Sequence, residues 1–159
     1  MENNIYPCLW FDGQAQAAAK FYCSIFKNAK IKADNQMVVE FELDGKKFIG
    51  LNGGPAFTFN EAVSFVIDCE TQEDIDYYWE KLTADGGSEG NCGWLKDKFG
   101  VSWQVVPTNL PKLLSDPDKA QRVMAVYMKM KKFDITGTEK QIPSIRNIPT
   151  RVYFQVLQT

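Results

Sequence analysis

The sequence repeats itself at an offset of 56 positions. Asp12 and Asp68 each close an apolar run. The same spacing pairs Leu9 with Phe65, Phe11 with Ile67, Phe21 with Tyr77, Tyr22 with Tyr78 and Phe26 with Leu82. Each pair keeps its chemical type. A repeat of this length marks duplicated supersecondary units that bury a shared core.

The first copy reads as strand, helix and then strands. Ile5 to Phe11 is a short apolar run ending at Asp12-Gly13. Gln14 to Phe26 carries Ala18, Phe21, Tyr22, Ile25 and Phe26 at helical spacing, so one stripe faces a core. Lys30 to Ala33 is a further short strand. Met37 to Leu43 alternates, and Asp44-Gly45 then supplies the two positive-φ residues of a type I′ hairpin before the returning strand Lys47 to Asn52. The second copy opens with Val63 to Cys69. Thr71 is placed to cap a helix whose first turn holds Glu73 and Asp74 and whose buried stripe is Ile75, Tyr78, Trp79 and Leu82. Gly86-Gly87 ends that helix. Gly93 to Lys96 and Val101 to Val106 pair around the turn Asp97-Lys98-Phe99-Gly100. The predicted fold class is α+β, built from two βαβββ modules at 5–54 and 60–107.

A helical extension follows at 110–134. Leu110 to Ser115 makes one or two turns. Asp116-Pro117 starts a helix expected to reach Lys132, with Val123, Met124, Tyr127, Met128 and Met130 as its apolar surface. That helix must cover its own sheet or a partner subunit. Residues 135–159 form a tail in which Val152, Phe154 and Val156 alternate with polar neighbours. It either adds to a sheet edge or stays disordered.

Composition narrows the chemistry. The chain has no histidine, so no Ser-His, Cys-His or His-metal arrangement can form within it. A net charge of −2 lacks the basic excess of a nucleic-acid binder. No apolar run approaches a membrane span, and Met1-Glu2-Asn3-Asn4 lacks the basic and apolar regions of a signal peptide. Cytoplasmic residence is expected, with Cys8, Cys23, Cys69 and Cys92 as free thiols, since no CxxC spacing is present.

Two stretches resemble a known family. Leu9-Trp10-Phe11-Asp12-Gly13 followed by Phe21-Tyr22 resembles the first strand and helix of the vicinal-oxygen-chelate superfamily, to which glyoxalases, bleomycin-resistance proteins and dioxygenases belong. The run from Cys92 to Pro107, with Asp116-Pro117, Arg122-Val123-Met124 and Met128 to Lys132, resembles its PhnB-like subgroup. The resemblance spans Ile5 to Asp134. It implies that the two modules curl into a cup-shaped mixed sheet with helices outside, and that the protein is a homodimer. Many members are named after demethylubiquinone methyltransferase. A methyltransferase of the usual type needs a parallel sheet and a Gly-rich cofactor loop. Gly53-Gly54-Pro55 is followed by no such spacing and reads as a plain turn.

The resemblance also implies where a divalent metal would sit, at the cup's floor on the first and last strand of each module. The matching positions are Pro7, Gly50, Ala62 and Gln104. A one-residue register error would substitute Cys8, Ile49 or Leu51, and Val63. Only Gln104 can coordinate, and one neutral oxygen does not hold a divalent ion against water. The expectation is therefore no metal and no cofactor, with the cup left as a small-molecule site.

Strand alternation puts Ser102 and Val106 on the Gln104 face and turns Trp103 and Val105 toward the helices. By the same pattern Asn52 shares the cup with Gly50, and Ser64 with Ala62. Gln104, Asn52 and Ser64 are the candidate polar contacts, unless they satisfy one another. Trp94 is expected either at the mouth, stacking on a planar ligand, or in the core. Trp10 is expected in the core against the first helix. Cys92 shares the face of Trp94 and Lys96. It becomes a nucleophile only if Lys96 lowers its pKa, and is otherwise an inert thiol. Asp97 and Lys98 read as solvated turn residues. Three functions compete: metal-free small-molecule binding, metal-independent catalysis, and assembly as a dimeric interaction module.

Overall fold

A computed structural model describes residues 5–115 and 117–137. Its N-terminal module contains β1 (Cys8–Phe11), α1 (Ala15–Ile25), β2 (Lys30–Asp34), β3 (Val38–Leu43) and β4 (Lys46–Asn52). The C-terminal module contains β5 (Phe65–Cys69), α2 (Gln72–Thr83), β6 (Ser88–Glu89), β7 (Trp94–Lys96) and β8 (Ser102–Pro107). Two helices follow, α3 (Leu110–Leu114) and α4 (Pro117–Tyr127). The strands form two four-stranded sheets of identical order, β1-β4-β3-β2 and β5-β8-β7-β6. In each, the first and last strands of the module pair in parallel and the others antiparallel. The duplication read from the sequence is thus a duplication of topology.

Local chemistry explains the elements. Asp44 and Gly45 both take positive φ, 49° and 72°, closing the expected β3–β4 hairpin. The α1 helix lacks a side-chain cap of its own at Gln14. Instead the Ala15 N–H donates to Asn52 Oδ1 across 2.8 Å, tying the helix start to the end of β4. Ala15, Ala18 and Ala19 are fully buried, and small side chains let α1 lie close on its sheet. Gly50 shows how close: a Cβ there would stand 2.8 Å from Val39 Cγ1 and 3.2 Å from Ala15 Cβ. Thr71 caps α2 as expected, its Oγ1 accepting from the Asp74 N–H at 3.1 Å. The two-residue β6 carried no signal in the sequence, because Ser88-Glu89 has neither apolar alternation nor length.

The two modules share one core. Each turns its buried strand face inward: Val39, Phe41, Leu43 and Phe48 from the first, Ile67, Cys69, Leu95, Trp103 and Val105 from the second. Tyr22 of α1 lies between them, stacked on Phe41 and tilted against Trp103. Phe26 stacks on both Tyr78 and Trp103, and Phe65 meets Phe48 edge-on. Both inner faces therefore look toward the same helix-filled interior, and the other face of each sheet looks outward.

Three expectations are corrected here. Asp97 is not a solvated turn residue. It is 3% exposed, and its carboxylate accepts from Tyr22 Oη, Trp103 Nε1 and the Phe99 and Val101 N–H groups. Trp10 lies on the outer side of β1, opposite the buried Leu9 and Phe11. It donates to the Gly54 carbonyl at 2.7 Å. The α4 helix ends at Tyr127 rather than near Lys132. The N–H groups of Lys129 and Met130 close tighter turns onto Val126 and Tyr127, and the chain then turns so that the Met130 and Lys131 carbonyls receive the Cys92 and Gly93 N–H groups. The extension covers its own chain, burying Val123, Tyr127 and Phe133. Asp116 and the tail from residue 138 onward lie outside the described residues. Among the described residues, no helix is long and apolar enough to cross a membrane.

Candidate functional site

Strand register decides which sequence-selected residues meet. In the C-terminal sheet Trp103 and Val105 face the interior, so Ser102, Gln104 and Val106 face outward. Gln104 is flanked by Trp94 on one side and Val66 on the other, making one row across β7, β8 and β5. The next row holds Lys96 opposite Ser102. Gln104 Nε2 donates to Ser64 Oγ at 2.8 Å. The structure thus brings Gln104, Ser64 and Trp94 onto one outer surface, with Val66, 57% exposed, on the far side of Gln104 from Trp94. Beside Ser64 and Val66 an open cleft of about 540 Å³ runs between the modules toward Phe26, Phe48 and Tyr78.

Asn52 does not join them. Phe48, Gly50 and Asn52 lie on the inward side of β4, leaving Ile49 and Leu51 outward. Asn52 donates to Gln16 Oε1 and the Gln36 carbonyl while accepting from Ala15. It lines an open polar recess of about 560 Å³ with Gln16, Asp34, Asn35 and Gln36. Its amide is spent on holding α1 to the sheet. Asn52 was expected in the cup because the resemblance set Gly50 there, whereas Gly50 and Asn52 face α1.

Cys92 lies apart from the outer row. It takes φ of 55° just before β7, and its thiol donates to the Tyr127 carbonyl at 3.3 Å. Burial pushes the thiol pKa up. Lys96, the cation that could have lowered it, is paired with Glu61 at 2.6 Å. A thiol held protonated is a poor nucleophile. Cys69 is further from reactivity: burial, then Asp74 and Asp68, push it up to about 12.

The Gly53-Gly54-Pro55 turn is closed over by Trp10. A Cβ on Gly53 would fall 2.2 Å from the indole ring, and the indole N–H is bonded to Gly54. No space is left there for a nucleotide-like group. The metal positions implied by the resemblance also fit poorly. Gly50 points into the core, and the Gln104 amide is engaged with Ser64. Among the described residues no three His, Cys, Asp or Glu side chains converge. The donors that Mn²⁺, Fe²⁺ or Zn²⁺ prefer are missing from these positions.

Comparison with known proteins bears on the family and the fold. The family model described as 3-demethylubiquinone-9 3-methyltransferase matches residues 3–106. The PhnB protein from Bacillus cereus is 31% identical, covering 66% of this chain and 99% of its own, with a TM-score of 0.61. The fosfomycin resistance protein FosX from Listeria monocytogenes, solved with Mn(II) and sulfate, is 15% identical with a TM-score of 0.55, covering 72% of this chain and 97% of its own. A glyoxalase-related enzyme from Fulvimarina pelagi is 14% identical with a TM-score of 0.52, covering 69% and 91%. No functionally curated protein matches. The two low-identity structures share the fold; with both modules matched across more than half of the chain, the protein belongs to the PhnB-like family described as 3-demethylubiquinone-9 3-methyltransferase.

Proposed function

We propose that the protein binds a small, partly aromatic organic molecule on the outer face of its C-terminal sheet, without a divalent ion. The observation that carries this reading is the row Trp94–Gln104–Val66. It sets an indole and an aliphatic side chain on either side of an amide whose carbonyl receives no hydrogen bond from the described residues. Apolar surface with a few placed polar groups is what small-ligand sites offer. The donor set argues against the metal chemistry of the superfamily, and the raised thiol of Cys92 argues against covalent catalysis.

A sheet face is a floor, and it needs a facing wall. One end of the outer face of the N-terminal sheet carries Trp10, Ile49, Leu51 and Val38, with Phe57 packed on Trp10 and Met37 63% exposed nearby, while the other end carries Glu42 and the paired Glu40 and Lys47. An apolar surface of this kind suits burial against a second copy. We assign that role to it: in a homodimer, the N-terminal sheet of one chain would wall the floor of its partner. The free thiols support cytoplasmic residence.

The test is a ¹⁵N NMR titration of the full chain, in EDTA, with a panel of small aromatic compounds. The expected result is shifts concentrated at the Trp94 indole N–H and the Gln104 side-chain amide, abolished by Trp94→Ala. Shifts confined to the Asn52 recess, or none anywhere across the panel, would contradict the assignment.

A further inference from the structure

Ser102 is 1% exposed, and its hydroxyl has no hydrogen-bond partner among the described residues. Buried hydroxyls are nearly always satisfied, and one that is not costs stability for as long as it persists. Its position supplies a reason. Ser102 shares the outer face with Gln104 and stands directly opposite Lys96. Trp94, Val66 and Val106 supply apolar surface alongside. The ammonium of Lys96 is met at 2.6 Å by the Glu61 carboxylate. Glu61 belongs to neither strand. It sits between β4 and β5, in the linker joining the modules, and its side chain is 63% exposed. A carboxylate reaching in from a linker to the only cation beside an unpartnered hydroxyl among the described outer-face residues occupies the place of a ligand's anionic end. A cation and a hydroxyl donor together select an anion, and the indole beside them selects a flat apolar body.

We infer that the ligand is an aromatic carboxylate or similarly delocalised organic anion, whose charged end displaces Glu61 from Lys96 and takes the Ser102 hydroxyl as a donor. This rests on the outer-face site proposed above and names its substrate class. The linker carboxylate then acts as an internal competitor. Exposed ion pairs are weak, so a ligand that also buries apolar surface can displace it.

The test uses 2-naphthoate and its neutral analogue 2-naphthamide, titrated calorimetrically into the full chain and three variants. Naphthoate is expected to bind more tightly than naphthamide. Glu61→Gln should tighten naphthoate about two- to fivefold, the value of an exposed ion pair, and leave naphthamide unchanged. Lys96→Met should weaken naphthoate about tenfold or more while sparing naphthamide. Ser102→Ala should weaken naphthoate while leaving the melting temperature unchanged or raised, since it removes an unpartnered hydroxyl. A purely structural serine would show a lowered melting temperature and no change in binding, and that result would overturn the inference. Equal binding of the two compounds, unaffected by Glu61→Gln, would overturn the anion assignment while leaving the site. Binding of neither would remove the site and the inference with it.

Discussion

Replacing Asp97 with alanine is expected to cost about 3–5 kcal/mol of folding stability. The carboxylate is 3% exposed and receives four donors: Tyr22 Oη and Trp103 Nε1 at 2.8 Å, and the N–H groups of Phe99 and Val101. Tyr22 comes from the N-terminal module and the other three from the last hairpin, so this one group bolts the modules together. Alanine leaves four buried donors without an acceptor. Asparagine is expected to be only a partial rescue, costing about 2–3 kcal/mol. Trp103 Nε1 and both backbone N–H groups can only donate, and an amide offers one acceptor atom where the carboxylate offers two. Burial raises the Asp97 pKa, with the hydrogen bonds from Trp103, Tyr22, Phe99 and Val101 opposing it. A carboxyl with a raised folded-state pKa gains stability from proton uptake. Its contribution is greatest below the unfolded-state value and falls as pH rises through the folded one. Asp97→Asn should remove that pH slope. Urea unfolding as a function of pH checks both points. An Asp97→Ala protein within about 1 kcal/mol of the parent would show that the four contacts do not matter.

Gly93→Ala is expected to cost about 2–4 kcal/mol. Gly93 has φ of +78°, and a Cβ there would stand 2.7 Å from the Val105 carbonyl oxygen and 2.6 Å from Phe133 Cε2. Both backbone groups of Gly93 are engaged: its N–H donates to Lys131 and its carbonyl accepts from Val105. Alanine must either strain φ or push β8 and the C-terminal extension away. Gly100→Ala is the control. Its φ of +85° is similar, but nothing lies within 4 Å of the added atom, so only the conformational cost of about 1 kcal/mol is expected. For a domain of this size each kcal/mol moves Tm by roughly 2–4 °C. Equal losses at the two glycines would show that the close approach to Phe133 and Val105 carries no weight.

The fold was legible because duplication, alternation and turn chemistry agreed with one another. The 56-residue offset of Asp12 and Asp68 carries β3 onto β7 and β4 onto β8 as well. The Asp44-Gly45 hairpin and the Thr71 cap formed as their residue types required. The site was legible only in part. The resemblance put Gln104 on the cup face, and alternation from it turned Trp103 and Val105 toward the helices, where the structure buries them. Gly50 has no side chain to report its direction, and the resemblance set it in the cup, which carried Asn52 to the wrong side. Asp97 was misread because a charged residue in a turn signals solvent. Its partners, Tyr22 and Trp103, are distant or hidden in sequence and show themselves only once packed. Alternation placed Ser102 on the Gln104 face but gave no hint of its unpartnered hydroxyl, and Glu61 carried no sequence signal. One is notable for a missing partner and the other for a contact across the linker.

We propose that this fold holds an organic molecule with no need of a divalent ion. This claim is tested most directly by measuring the affinity of the full-length protein for 2-naphthoate in EDTA and again in excess Mn²⁺. The expected result is the same dissociation constant in both, with no manganese retained after gel filtration. A tenfold or greater gain in affinity, accompanied by stoichiometric manganese, would contradict it.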